Sequence, residues 1–134
     1  MMKLRTTLLL PLLLLASCAA PLVLAGMGAA VGIWTYDDFQ KDRGEMIVRA
    51  SAEQAYATSK SAIEARPGAS EITLVPGSMR IEFKEDKADV VVQVMLMPET
   101  PEFATLRVYA AELTIRGRAE LAREVAEDIG SRLQ

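Results

Sequence analysis

The amino-acid sequence predicts an α+β fold, a two-layer sandwich in which two helices cover one face of a mostly antiparallel sheet. Apolar side chains recur at three- and four-residue spacing in residues 52–63 and 121–133, which is the period of an amphipathic helix. Between these stretches, short segments alternate apolar and polar residues and are separated by turn-forming residues, which is typical of strands. The predicted order is strand, helix, three strands and helix, within residues 45–134.

The first strand and the first helix are predicted from residues 45–49 and from a capping signal that follows them. Ser51 is followed three residues later by Gln54, a capping box that places the start of the helix at Ala52. Residues 66–68, Arg-Pro-Gly, end the helix because proline is disfavoured inside a helix and glycine suits the turn after it. Small side chains dominate the face that we expect to pack on the sheet, which consists of Ala52, Ala55, Tyr56, Ser59, Ala62 and Ile63.

The sheet continues in the segments that follow this helix. Residues 71–75 and 79–84 form a predicted hairpin across Pro76-Gly77, and the second arm alternates apolar and polar side chains. The later strand segments are residues 90–97, after a turn at Asp86-Lys87, and residues 103–110, which carry Leu106 and Val108 on their inner face.

The last helix is predicted after a break at Gly117. Residues 113–115 either prolong the preceding strand or form a loop, so the conformation of residues 110–117 is left open. The apolar side of the helix consists of Leu121, Ala122, Val125, Ala126, Ile129 and Leu133. Two ion pairs with four-residue spacing are predicted to stabilise it, Arg123 with Glu127 and Asp128 with Arg132.

One strand departs from the simple two-layer pattern. Val90, Val92, Val94 and Leu96 fill one of its faces, but the opposite face is also apolar. The predicted contact surface on that opposite face consists of Val91, Met95, Met97 and Tyr109, with Phe103 as a further candidate. Apolar side chains on the uncovered face of a sheet indicate a surface that binds a partner. The alternative is that the N-terminal tether or residues 110–117 fold over this face.

The N-terminus has the organisation of an export signal. Residues 1–5 carry a short positive region, and residues 8–15 form an apolar run broken only by Pro11. Residues 15–18, Leu-Ala-Ser-Cys, resemble the lipobox of bacterial lipoproteins. The resemblance implies cleavage before Cys18 and attachment of lipid to its sulfur, so that the chain is tethered to a membrane. Ala19 stands where Asp would be expected for inner-membrane retention, which favours the periplasmic face of the outer membrane, with inner-membrane anchoring as the alternative.

This interpretation divides the chain into three parts. Residues 1–17 are the signal peptide, residues 18–44 are a lipid-anchored, glycine-rich apolar tether and charged linker, and residues 45–134 are the α+β domain. Residues 6–36 contain no charge, which is long enough to cross a bilayer. Three alternatives therefore remain for the segment after Cys18: a flexible tether along the lipid, a helix that self-associates or enters the bilayer, and an uncleaved anchor.

Composition argues against catalysis. The 134 residues include no histidine, the side chain that most often transfers protons near neutral pH and ligates transition metals. Cys18 is the only cysteine, and lipidation leaves no thiol for a nucleophile, a disulfide or a metal site. We therefore expect no enzyme, no catalytic, cofactor-binding or metal-binding residues, and no cofactor.

Net charge argues against nucleic-acid binding. The formal net charge is −3, and it becomes −5 when Lys3 and Arg5 leave with the signal peptide. An acidic chain without a cluster of lysine and arginine lacks the surface that neutralises phosphates. The expected partners are the membrane, through the lipid on Cys18, and an envelope protein or a second copy of the chain.

The whole pattern resembles an uncharacterised family of small bacterial lipoproteins, the domain of unknown function 3568. The likeness rests on Cys18 with Ala19 and Ala20, the glycine-rich segment 26–32, the strand leading into residues 51–54, and the terminal helix at residues 120–133. The segment between Val108 and Gly117 is longer here than that family leads us to expect. The family brings no assigned activity, so the resemblance implies fold and location only.

The sequence thus favours a non-enzymatic envelope binding or structural module. A small carrier of apolar ligands or lipids, with cargo held between helix and sheet, is the alternative.

Overall fold

The computed structural model describes residues 31–36, 42–113 and 116–134. Predictions about the signal peptide, Cys18 and most of the tether therefore lie outside the described residues. The two helices are α1 (Ala52–Glu64) and α2 (Ala119–Ser131). The strands are β1 (Thr35–Tyr36), β2 (Arg43–Val48), β3 (Ser70–Val75), β4 (Arg80–Glu85), β5 (Ala88–Leu96), β6 (Ala104–Glu112) and β7 (Arg116–Gly117), and a 3-10 turn, Pro76–Ser78, joins β3 to β4.

The strands form one sheet in the order β1-β2-β6-β5-β4-β3, and every neighbouring pair is antiparallel. The short strand β7 pairs with Ala111 and Glu112 of β6. It lies on the same side of β6 as β2, because β5 occupies the other side along the whole of β6. The α+β sandwich is confirmed. Four main strands lie between the helices, one for each of the four predicted segments, so the count of three in the predicted order was one too few.

Both helices pack on one face of this sheet. Helix α1 contacts β5 and β6, helix α2 contacts β6 and β2, and the two helices contact each other. Alternate residues of the central strands are buried beneath them, and these are Met46, Val48, Ala88, Val90, Val92, Val94, Ala104, Leu106, Val108 and Ala110. Leu96 was predicted to share this face, but it ends β5 and is 58% exposed.

The helix faces agree with the predicted periodicity. In α1 the residues Ala52, Ala55, Ser59, Ala62 and Ile63 are buried, and Tyr56 packs partly against the core. In α2 the buried residues include Leu121, Ala122, Val125, Ala126 and Ile129, with Leu133 partly buried beyond its end. Both predicted ion pairs of α2 are present, at 2.8 Å for Arg123–Glu127 and 3.3 Å for Asp128–Arg132.

The N-terminal cap of α1 at Ser51 and the start of the helix at Ala52 are confirmed. The Ser51 hydroxyl accepts a hydrogen bond from the backbone N–H of Gln54 at 3.2 Å. A capping serine satisfies one of the N–H groups that have no partner inside the helix. Inside the helix, the buried Ser59 hydroxyl donates to the Ala55 carbonyl at 2.7 Å, so its polar group is satisfied within the apolar face.

The folded unit begins earlier than residue 45. Residues from Val31 to Gln134 belong to one compact unit, and β1 pairs with β2 inside the segment that we assigned to the linker. The Gly32 N–H also donates to the Ile47 carbonyl at 2.7 Å. Strand β1 is only two residues long, so it has no alternation for a sequence pattern to reveal. No helix among the described residues has the length and apolar character needed to cross a bilayer.

Residues 110–112 and 116–117 lie in the sheet. Strand β6 continues to Glu112, Leu113 turns with a positive φ of 54°, and β7 pairs back on β6. The Arg118 N–H then donates to the Ala110 carbonyl at 2.8 Å before α2 begins. The described part of this segment therefore prolongs the strand into a hairpin and does not cover the face opposite the helices.

Candidate functional site

Neither of the two described helices packs on the other face of the sheet, which we call the open sheet face. On β5 its residues are the exposed Asp89 and the half-buried Val91, Gln93 and Met95, which alternate with the buried residues beneath the helices. The other strands contribute the residues that register places beside them, which are Arg43, Glu45, Ile47, Arg80, Glu82, Lys84, Thr105, Arg107 and Tyr109.

Strand register sets two adjacent rows across this face. In one row, Glu45 pairs with Arg107, Arg107 with Gln93, and Gln93 with Arg80. In the next row, Arg43 pairs with Tyr109, Tyr109 with Val91, and Val91 with Glu82. Antiparallel partners have Cβ atoms about 5 Å apart. Arginine side chains from three strands therefore reach the same small area.

These rows enclose a groove of about 330 Å³. Its lining, which we call the arginine groove, consists of Arg43, Arg80, Val91, Gln93, Arg107 and Tyr109. Among the described residues that line it, the three charged ones are all arginines. Val91 and Tyr109 supply the apolar and aromatic surface between them.

Among the described residues, each arginine of the groove has one carboxylate partner. Arg43 Nε donates to Asp42 Oδ1 at 3.3 Å, and Arg80 Nε donates to Glu82 Oε1 at 2.7 Å. Arg107 Nε donates to Glu45 Oε1 at 2.7 Å, and its Nη2 contacts the same oxygen.

Tyr109 fixes one of these arginines further. The Arg43 guanidinium carbon lies 5.3 Å from the centre of the Tyr109 ring, within the range of a cation–π contact. Such a contact orients a guanidinium without using its N–H groups. The carboxylates and this ring together hold the three arginines in place at the groove.

The predicted contact residues divide into two sets. Val91 and Tyr109 are cross-strand partners inside the arginine groove, and Met95 lies on the same face opposite Thr105. Met97 lies beyond the end of β5, where its carbonyl accepts from the Thr100 N–H at 3.1 Å. Phe103 precedes β6, with the Arg49 guanidinium 5.6 Å from its ring centre.

The open sheet face is consequently mixed and not a continuous apolar patch. Sequence reasoning missed Arg43, Arg80 and Arg107 as members of the site. The available signal was alternation, because Arg80 alternates with the buried Ile81, and Arg107 lies between the buried Leu106 and Val108. Alternation assigns each residue to a face but does not show that three strands bring these arginines together.

A second depression lies where the end of α2 meets β2. It measures about 180 Å³ and is lined by Gly32, Met46, Glu127, Gly130, Ser131 and Gln134. Pockets for small molecules usually measure about 300–1,000 Å³. This depression is therefore small for the apolar cargo that the carrier hypothesis requires.

Acidic and sulfur-bearing side chains form no metal-binding cluster in the part of the chain that the structure describes. Asp128 of α2 instead accepts hydrogen bonds from Arg66 and Arg132. Its neighbourhood is therefore organised by ion pairs between elements.

No protein-family model, no curated protein and no solved structure matches this chain. The resemblance to the lipoprotein family of unknown function therefore stays a prediction from the sequence.

Proposed function

We propose that this chain is a bacterial lipoprotein of the cell envelope whose folded domain is a non-enzymatic binding module. Lipid on Cys18 anchors it to the periplasmic face of the outer membrane. The domain contacts an envelope protein, or a second copy of the chain, through the open sheet face.

The observation that carries the binding role is the arginine groove on the face that the two described helices leave uncovered. Tyrosine and arginine are over-represented among the residues that dominate binding energy at protein interfaces. Here Tyr109 and three arginines surround one depression, and Met95 lies on the same face beside it. This composition suits a contact surface with an aromatic anchor and directional polar groups.

The anchoring role is supported by the sequence alone. Residues 15–18 match the lipobox pattern at the expected distance from the basic N-terminus. Each buried methylene of a lipid contributes about 0.8 kcal/mol, and two or more acyl chains give stable attachment. Such an anchor needs no membrane-spanning helix.

The carrier hypothesis has less support. Buried side chains of α1, α2 and the sheet fill the space between the two layers as one core cluster. The larger depression lies on the opposite side of the sheet and is lined by three arginines, which do not suit apolar cargo.

Mass spectrometry and membrane fractionation test the anchor. The wild-type chain, expressed in a bacterium, should begin at Cys18, carry lipid there and sediment with the outer membrane. Cys18→Ser should lose the lipid and the cut at this position. A wild-type N-terminus that is uncut or unlipidated would contradict the anchoring proposal.

Crosslinking in intact cells tests the binding surface. Met95→Asp places a charge on the open sheet face and should remove most crosslinked products of the wild-type chain. Ala57→Asp, an equal change at an exposed position of α1, should retain them. If Met95→Asp gives the wild-type pattern of products, the open sheet face is not the contact surface.

A further inference from the structure

We propose that the arginine groove binds the oxyanion group of a small organic anion, a carboxylate or a phosphate. This inference rests on the proposed binding role of the open sheet face and names the chemistry that the face recognises. Three observations support it: the hydrogen-bond donors of the arginines, the distance between those arginines, and the volume of the groove.

The groove contains guanidinium groups with donors left over. Toward described residues, Arg43 and Arg80 each donate only through Nε, to Asp42 and Glu82. Within the described part of the chain, both terminal nitrogens of these two side chains have no hydrogen-bond partner, and the proposed ligand would bind their N–H groups. Guanidinium N–H groups form a planar fork that matches the paired oxygens of carboxylates and phosphates.

Spacing allows two arginines to act on one anion. Arg80 and Arg107 are the cross-strand partners of Gln93 on its two sides, so their backbones are separated by two strand spacings, about 10 Å. Two long side chains can meet an oxyanion between them across this distance. Gln93 itself donates its amide N–H to the Ser78 carbonyl, which fixes it as the floor of the groove.

The carboxylates beside the arginine groove influence which anions it can bind. Asp42, Glu45 and Glu82 balance the formal charge of the three arginines, so simple charge attraction is weak. Binding must then depend on directional hydrogen bonds, which strengthen with the number of oxygens that a ligand presents. We expect multidentate oxyanions to bind and chloride to be a poor competitor.

Size and surface restrict the ligand further. A volume of about 330 Å³ is at the lower end of the range for small-molecule sites. Val91 and the Tyr109 ring offer an apolar contact next to the arginines. A small molecule that joins an oxyanion to a short apolar or flat body fits this lining.

Calorimetric titration of the full chain in non-ionic detergent tests the inference. The probes are pyrophosphate and citrate, each compared with sodium chloride at equal ionic strength. We expect saturable binding of at least one oxyanion and none of chloride. Tighter binding of pyrophosphate assigns a phosphate ligand, and tighter binding of citrate assigns a carboxylate ligand.

Three variants of the groove and one control variant separate specific binding from general charge effects. Arg80→Gln and Arg107→Gln should each weaken binding about tenfold or more, because Arg80 offers both terminal nitrogens and Arg107 offers Nη1, none of which donates to a described residue. Arg80→Lys keeps the charge but loses the fork, so it should weaken binding as well. Arg123→Gln is the matched control, since the Arg107 and Arg123 side chains are 48% and 47% exposed and each pairs with a glutamate.

Folding of each variant is checked by its thermal unfolding curve, and the three groove variants supply independent readings if one of them does not fold. Absence of oxyanion binding, equal binding of chloride, or an equal loss in Arg123→Gln would overturn the inference. The crosslinking result for Met95→Asp decides the proposed function separately. If the chain crosslinks through this face but binds neither probe, the proposed function stands and only the oxyanion site is refuted.

Discussion

At the scale of single residues, Gly44 permits a close contact at the start of the folded unit. A Cβ atom at this position would lie 2.5 Å from Cε2 of Trp34 and 2.6 Å from the Thr35 carbonyl oxygen. Both distances are far inside van der Waals contact, and one partner is backbone that cannot rotate away. Gly44 therefore lets the Trp34 ring rest on β2 and pack against the core.

Replacing Gly44 by alanine should lower the free energy of unfolding by about 1–3 kcal/mol, as expected for overpacking of a filled site. Gly77→Ala is the control, because a Cβ atom there meets nothing within 4 Å. Urea denaturation should place the control within about 0.5 kcal/mol of wild type. Equal stabilities of the two variants would show that the Trp34 contact does not constrain the fold.

Asp86 links the β4–β5 turn to the residue before α2. Its carboxylate accepts from Arg118 Nη2 at 2.6 Å, and this hydrogen bond and the Arg118 charge lower the pKa of Asp86 below its ordinary value of 3.8. A carboxyl group with a depressed pKa in the folded state stabilises the fold above its unfolded pKa. That stabilisation is lost as the pH falls through the folded-state pKa.

We expect Asp86→Asn to be less stable than wild type at neutral pH and to converge with it as the pH falls below 3.8. Arg118→Gln removes the other partner, so Asp86→Asn in that background should have little further effect at any pH. Thermal unfolding, measured from neutral pH down to the acidic range in which Asp86 is protonated, gives the stability difference that Asp86→Asn makes in each background. A constant gap between wild type and Asp86→Asn at all pH values would exclude the ion pair as its cause.

At the scale of secondary-structure elements, one ion network joins three parts of the chain. Arg66, just after α1, donates to both carboxylate oxygens of Glu85 at the end of β4, at 2.7 Å and 2.6 Å. It also donates to Asp128 of α2 at 3.2 Å. The Glu85 hydrogen bonds raise the pKa of Arg66 above its ordinary value although burial opposes this.

Replacing Arg66 should lower the free energy of unfolding more than replacing an exposed arginine does. The Arg66 and Glu85 side chains are only 15% and 14% exposed, so Arg66→Gln leaves a partly buried carboxylate without its partner. We expect a loss of about 1–3 kcal/mol in the free energy of unfolding.

Arg123→Gln serves as the control for this network, since exposed ion pairs of this type contribute less than about 1 kcal/mol. Urea denaturation of Arg66→Gln, Glu85→Gln and the double variant gives the coupling energy. Additive losses in the double variant would show that the two side chains do not stabilise each other.

Local signals were sufficient to predict the elements themselves. The capping box at Ser51 and the apolar spacing in α2 depend only on residues a few positions apart, and both agree with the structure. The strand segments were located by the same kind of signal, with ends shifted by one to two residues. Strand β1 was missed because two residues carry no periodicity.

Local signals of this kind could not predict contacts between residues that are far apart in the sequence. Arg66 was interpreted only as part of a helix stop, because its partners lie 19 and 62 residues away. The arginine groove was missed for the same reason. Val91 and Tyr109 were selected for their apolar character, whereas Arg43 and Arg80 enter the site only through the order and register of the strands.

At the scale of the whole molecule, the two described helices cover one face of the sheet and leave the open sheet face on its other side. On β5 these two environments alternate between neighbouring residues, so Val92 is fully buried under the helices while Val91 lies half-buried in the arginine groove. The two side chains are chemically identical and adjacent. Their contributions to stability therefore report how completely each face is covered in the whole chain.

Val92→Ala should lower the free energy of unfolding by about 2 kcal/mol, because it removes two methyl groups from a packed core. Val91→Ala should cost less than about 1 kcal/mol if the face stays accessible, as the proposed binding role requires. Chemical denaturation of the full chain measures both losses side by side. Equal losses would mean that another part of the chain covers the open sheet face, and a surface closed in that way is not available to a partner or an anion.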